Sequence, residues 1–314
     1  MKLISLLIPL LLFCGFAMMD SSESPISSEE KLGEKLFSEK MLSRDSSISC
    51  ATCHIPKFAF ADTSILSLGV EGKKGLRNTP SVMNMASRPY FFYDGRAATL
   101  EEQVMGPIEN PVEMDLDYTD AVYRIKADSS YVMHFQNVYH SLPDSTNILR
   151  AIASFMRSLE SNGSAPHDMW MAGYETAFTE SQNRGRDVFL EKGKCFDCHF
   201  GPDFTGDEFR NIGLYDGKKL NDTGRFEISK DSSDLGKFKV PGLRNIALTA
   251  PYMHNGMFNT LEEVVEFYDN PYAFVDDPIN IDSLMIDPLN LSIQEKTDLV
   301  NFMKSLTDDS FPFE

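Results

Sequence analysis

Cys50-Ala51-Thr52-Cys53-His54 and, 145 residues later, Cys195-Phe196-Asp197-Cys198-His199 decide how this 314-residue chain is read. They hold four of its five cysteines; the fifth, Cys14, lies in an apolar run at the N-terminus. Two disulfides or a zinc site would account for four cysteines, but neither explains why a histidine directly follows each pair. C-x-x-C-H is the spacing of covalent haem c attachment: two thiols add to the haem vinyl groups, and the histidine ligates iron from the proximal side. The expectation is two haem c groups, one on Cys50, Cys53 and His54, the other on Cys195, Cys198 and His199.

The flanks of the two motifs repeat as well. Gly33-Glu34-Lys35-Leu36-Phe37 matches Gly185-Arg186-Asp187-Val188-Phe189 ahead of the motifs. Behind them, in the same order, Arg77-Asn78 answers Arg244-Asn245, Pro89-Tyr90 answers Pro251-Tyr252, and Asp94-Gly95 answers Asn255-Gly256. Thr99-Leu100-Glu101-Glu102 then returns as Thr260-Leu261-Glu262-Glu263, and Phe155-Met156-Arg157-Ser158-Leu159 as Phe302-Met303-Lys304-Ser305-Leu306. Such ordered self-similarity marks a duplicated module. The boundary falls near residues 160–178, where Ser161 to Pro166 reads as a linker.

Helix signals dominate between these landmarks. Ser27 with Glu30 and Thr179 with Gln182 have capping-box spacing ahead of each motif, and Thr99 and Thr260 are N-caps followed by acidic residues. Ser292 with Glu295 opens a last helix whose Leu299, Phe302, Met303 and Leu306 form one stripe. Long Gly- and Asp-rich connections, such as Asp203 to Lys239, lie between. The fold expectation is all-α: two tandem cytochrome c-like domains, residues 20–165 and 166–314, each wrapping one covalently bound haem.

Lys2 precedes an apolar run from Leu3 to Met19, the pattern of a signal peptide over residues 1–19. Cleavage could follow Ala17, or Cys14 could carry a lipid anchor. Export to the periplasm is expected either way. The formal charge of −18 repels a phosphate backbone, and the longest basic runs are pairs such as Lys73-Lys74, so nucleic-acid binding is not expected.

Arg77-Asn78-Thr79-Pro80, Tyr93-Asp94-Gly95-Arg96-Ala97, Val112-Glu113-Met114 and the run Leu243 to Tyr252, together with both haem motifs, resemble the bacterial di-haem cytochrome c peroxidases. That family includes the methylamine dehydrogenase maturation enzymes, and the resemblance covers roughly residues 28–307. It implies that Glu113 and Gln103 stand over an open haem, Glu113 as proton shuttle and Gln103 orienting peroxide by hydrogen bonding. It also implies a calcium ion between the domains, with Asn78, Thr249 and Pro251 as ligands. In the family the C-terminal haem takes its distal ligand from the helix after the repeated Thr-Leu-Glu-Glu. Counting along that segment lands on Tyr268, as in the maturation enzymes, where the peroxidases usually have methionine. Met253, Met257 and Met285 are competing ligands, and a packed aromatic is the plainer role for Tyr268.

The matching position in the first half, eight residues after Thr99, is Pro107, which has no donor atom. The first half has therefore lost its distal ligand, making its haem peroxidatic and the second an electron-transfer centre. Many family peroxidases also keep a histidine on a loop that covers the peroxidatic iron until activation. Counting back from Gly75-Leu76-Arg77-Asn78, Val70 takes its place, so the N-terminal site is expected to be open. Tyr93 stands where the peroxidases often have tryptophan, and the single tryptophan is Trp170. His134, His140 and His167 are expected at the surface or as caps, and His254 near the C-terminal haem.

The implied function is a periplasmic peroxidase that reduces hydrogen peroxide to water with electrons from a small cytochrome c or cupredoxin. The alternative is a maturation-type oxidant that modifies a protein or small molecule through high-valent haem. A homodimer is compatible with either.

Overall fold

The computed structural model describes residues 25–309; the expected signal peptide and Cys14 lie outside the described residues. Eleven α-helices follow in chain order among the described residues: α1 Glu29–Phe37, α2 Cys50–Cys53, α3 Leu100–Glu109, α4 Tyr118–Ala127, α5 Ser129–Tyr139, α6 Ser145–Ser158, α7 Pro166–Met171, α8 Glu180–Leu190, α9 Phe226–Ser229, α10 Leu261–Asp269 and α11 Ile293–Lys304. The architecture is mostly helical, as expected. Among the described residues, isolated bridges aside, β structure is confined to a two-stranded antiparallel pair in the long Asp203 to Lys239 connection, Phe209–Arg210 against Phe238–Lys239.

Two apolar clusters form, one from residues 32–159 and one from 178–306. Each is organised by the same crossing: α1 packs on α6, and α8 on α11. The repeated glycine makes both crossings possible. A Cβ on Gly33 would sit 1.8 Å from the Ala151 carbonyl oxygen, and one on Gly185 would sit 1.9 Å from that of Asp298. In each pair the next obstacle is the aromatic of the other repeat block, Phe155 Cβ or Phe302 Cβ, at 2.9 Å. Gly33→Ala and Gly185→Ala should therefore each destabilise the fold by about 1–3 kcal/mol through overpacking, read by denaturant unfolding. The duplication extends to α3 on α6 and α10 on α11.

The caps at Thr99, Thr179, Thr260 and Ser292 form as the sequence predicts: each hydroxyl accepts the N–H of the third helical residue. The first cap does not. Ser28, not Ser27, caps α1, accepting from Lys31 N–H. The chain is held extended just before it, because Ile26 N–H donates to His134 Nδ1 and Ile26 O accepts from Asn137 Nδ2. His134 is thus fully buried and not at the surface. His167 also departs from expectation: its ring packs among Phe178, Phe204 and Phe302. His140 is a cap, closing α5 in the left-handed region.

The Ser161 to Pro166 segment is anchored where a free linker was expected. Asn84 Oδ1 accepts Ser161 N–H, Asn84 Nδ2 donates to Ser161 Oγ, and Ala165 is fully buried. Ion pairs tie the two halves together. Arg77 reaches Asp94 in its own half and Asp222 in the other, both at 2.7 Å. Arg88 pairs with Asp203 and Asp207, and Arg225 donates to the Asp94 and Gly95 carbonyls. With side chains of Arg88 and Arg77 only 8% and 18% exposed, these are partly desolvated pairs, and removing one partner would leave a sheltered charge uncompensated.

Candidate functional site

Both C-x-x-C-H motifs open onto one continuous cavity of about 1060 Å³ between the halves. All four cysteines are unpaired, so the disulfide reading does not hold. Burial pushes the Cys50 and Cys195 thiols up to about 12 and the Cys53 thiol up to about 11. These are sheltered thiols facing a large, mostly apolar space, not exposed nucleophiles.

The two histidines are held identically. His54 Nδ1 lies 2.9 Å from Phe60 O, and His199 Nδ1 lies 2.9 Å from Phe204 O. A carbonyl only accepts, so each Nδ1 carries the proton and each Nε2 keeps its lone pair. Burial also lowers both imidazole pKa values, which favours that neutral form. A ring fixed by one nitrogen with the other free is the geometry of a metal-ligating histidine. Phe60 and Phe204 owe their positions to a local device: both residues sit in the left-handed region.

Gln103, Pro107 and Glu113 line the cavity in the first half, and Tyr268 lines it in the second. Gln103 Oε1 is buried without a hydrogen-bond partner, an unmet need at the cavity wall. Burial raises the Glu113 pKa, while the Arg96 charge and a 2.6 Å hydrogen bond from Asn110 Nδ2 act against it. Its charge in turn raises the Cys50 and Cys53 thiols, so Glu113 faces the N-terminal motif. Tyr268 bears the same relation to the second motif: burial, then the Cys198 and Cys195 thiols, raise its phenol pKa.

Of the competing sulfurs, Met253 and Met285 reach the cavity, whereas Met257 is turned toward Asn255 Nδ2 at 3.7 Å. Trp170 lies far from any bridging role, stacked on Phe178 in the C-terminal core. Tyr93 lines the cavity instead, and its carbonyl accepts Lys239 N–H across the seam.

Asn78, Thr249 and Pro251 also line this cavity. Asn78 Nδ2 donates to Ser64 O and Ile65 O, and its N–H donates to His254 O. His254 is stacked on Phe238 at 3.8 Å along the seam between the halves, and burial lowers its pKa to about 4. Arg96 stood in the run Tyr93 to Ala97 without a role of its own, and Asn110 carried no sequence signal beyond Asn110-Pro111, a dipeptide that marks a turn.

Free thiol pairs, histidines with a free Nε2, an orphaned Gln103 oxygen and a cavity shared by both motifs all fit two covalently attached haems. The comparisons with known proteins agree. The chain is 37% identical over 303 residues to the methylamine utilization protein MauG of Methylophilus methylotrophus, covering 93% of this chain and 87% of that one. It is 33% identical over 316 residues to the cytochrome-c peroxidase IdrP1 of Pseudomonas sp. (strain SCT), covering 91% and 82%. The crystal structure of a MauG-like protein associated with microbial copper homeostasis superposes with a TM-score of 0.82 at 32% identity, covering 91% of each chain. With the family pattern described as di-haem cytochrome c peroxidase also matching residues 27–176, the chain belongs to that family, whose cofactors are two haem c groups.

Proposed function

We propose that the protein is an exported peroxidase that reduces hydrogen peroxide to water at the N-terminal half and takes electrons through the C-terminal half. The observation that carries this reading is the asymmetry of two matching helices. At the same position on α3 and α10 stand Pro107, with nothing to offer a metal, and Tyr268, with a phenol oxygen facing the cavity. When bound, haem c would supply a redox-active iron. Cys50 and Cys53 would carry one haem and His54 would ligate it; Cys195, Cys198 and His199 would do the same for the other.

Glu113 moves the proton. Its carboxylate accepts a proton from one oxygen of peroxide and returns it to the other, which departs as water when the O–O bond breaks. Gln103 orients the peroxide through its amide, satisfying the oxygen that is otherwise orphaned. Over the full reaction one peroxide takes up two electrons and two protons and leaves as two waters. The electrons come from a small cytochrome c or cupredoxin. The signal peptide delivers the chain to the periplasm, residues 20–165 and 166–314 form the two haem domains, and Asn78 with the Thr249 and Pro251 carbonyls would hold calcium between them. Steady-state peroxide consumption with reduced cytochrome c tests the reading; no turnover above free haem overturns it.

Val70 adds a second expectation. It is fully buried, outside the cavity lining, and its N–H donates to Glu113 O at 2.8 Å. Its neighbour Gly69 lies so close to this segment that a Cβ would be 2.2 Å from Val112 O. The loop is thus locked in place with a side chain that cannot bind iron. The oxidised protein as isolated should show a high-spin haem by electron paramagnetic resonance and react with peroxide without prior reduction. A purely low-spin spectrum would contradict it.

Tyr268 supports a second reading, a maturation-type oxidation of another protein or a small molecule. An anionic oxygen ligand favours oxidised over reduced iron, which suits an oxidant better than an electron carrier.

A further inference from the structure

Glu113 has a dedicated partner that the proposed reaction has not used. Asn110 caps the C-terminal end of α3, its N–H donating to Gly106 O. Its side chain then works in two directions: Oδ1 accepts Val112 N–H at 3.1 Å, and Nδ2 donates to Glu113 Oε1 at 2.6 Å. Its carbonyl accepts Glu113 N–H at 2.9 Å. Main chain and side chain of one residue therefore fix both ends of the glutamate. From the opposite side, Val70 N–H holds Glu113 O. Behind that loop, Asp115 pairs with Arg44 and Lys73, and Arg44 also pairs with Glu71.

We propose that Asn110 is the positioning residue for the proton shuttle: it occupies Oε1 of Glu113, so that Oε2 alone faces the substrate, and it stabilises the ionised carboxylate that must accept the proton. The proposal rests on the reading of Glu113 above. A hydrogen bond from a neutral donor to a carboxylate is charge-assisted, and it weakens to an ordinary bond onto a carbonyl oxygen once Oε2 takes the proton. The other groups facing Glu113 are few. Arg96 acts in the same direction as Asn110, but its guanidinium is held by Asp94 and lies 3.4 Å over the Phe92 ring, so it acts as a charge and not as a donor. The Cys50 and Cys53 sulfurs face it from the haem side and lose their protons to thioether formation once haem is attached. With burial raising the pKa, Asn110 is, among the described residues, the hydrogen-bond donor on the side chain that pulls it down.

The test uses the haem-loaded protein and two variants. Asn110→Ala removes both side-chain bonds. Asn110→Ser keeps an uncharged acceptor for Val112 N–H, since a serine hydroxyl makes the same turn, but its side chain is too short to donate to Glu113, so a merely structural role survives in it while the donor is lost. The carboxyl stretch of Glu113, identified as the infrared band absent from Glu113→Gln, is titrated alongside the pH profile of kcat/KM for hydrogen peroxide. In both variants the band should titrate at higher pH and the acid limb should move with it by about one pH unit, a tenfold loss of rate on the acid side. If Asn110→Ala fails to fold, Asn110→Ser decides alone. A parent-like titration of band and rate in Asn110→Ser overturns the proposal. Should Glu113→Gln turn over peroxide like the parent, the reading of Glu113 fails instead, and the band titration still reports whether Asn110 holds that carboxyl.

Discussion

Glu113→Gln should lower peroxide turnover by roughly 10²–10⁴ while both haems stay attached with nearly unchanged spectra, the usual worth of a positioned acid–base group. The substitution is close to isosteric, and its amide can still meet Asn110 through the retained oxygen, so packing at the cavity wall should hold. What it loses is the ability to take a proton and give it back. The parent should show the sign of that role. Only the ionised carboxylate accepts a proton, and burial raises the Glu113 pKa above the ordinary carboxylate value. Turnover should therefore rise with pH through that raised pKa, and the limb should vanish in the Gln variant. The measurement is stopped-flow peroxide consumption across pH for both proteins. Turnover within a few-fold of the parent would remove Glu113 from the proton path.

The features of the site that are covalent or duplicated could be read from sequence, and the reason is physical. Thioether attachment demands two thiols and a histidine at fixed spacing, so Cys50 to His54 and Cys195 to His199 stand out without any fold. Close helix crossing demands a residue without Cβ, so Gly33 and Gly185 recur at the same place in both halves. N-caps are local, and Thr99, Thr179, Thr260 and Ser292 were all legible for that reason. The misses share the opposite property. Arg77 and Asp222 are 145 residues apart, and nothing local tells an arginine that reaches across a seam from one that is solvated. His134 and His167 looked like ordinary polar residues because burial of a lone histidine leaves no periodic trace. Ser161 to Pro166 has linker composition but is pinned by Asn84, a contact 77 residues distant. Asn110 was hidden in the same way: its helix-capping role is common, and its bond to Glu113 matters only because the glutamate faces the haem cavity.

Tyr268→Met should raise the reduction potential of the C-terminal haem by at least about 100 mV, a modest part of the ~0.8 V over which axial ligands tune haem iron. Methionine sulfur favours reduced iron, and phenolate oxygen favours oxidised iron. The direction follows from ligand chemistry, and position supports the assignment. Tyr268 is half-buried on the cavity wall beside Cys195 and Cys198, on the helix that repeats α3, and its phenol pKa is raised by burial. A phenol in that setting loses its proton only to something that stabilises the anion, and a ferric iron does so. The native C-terminal haem should accordingly be low-spin and resist reduction by ascorbate, while the Met variant should be reduced readily and show a sulfur-to-iron charge-transfer band. Because roughly 59 mV is a tenfold change in a one-electron equilibrium, a 100 mV shift is about 50-fold in the reduced fraction and easily resolved by optical titration. The competing ligands are Met253 and Met285, which also line the cavity. If the native protein already shows the sulfur band and reduces with ascorbate, Met253→Leu or Met285→Leu should abolish both while Tyr268→Met leaves them unchanged. The chain would then be electronically an ordinary di-haem peroxidase, and the maturation-type reading would lose the observation that supports it.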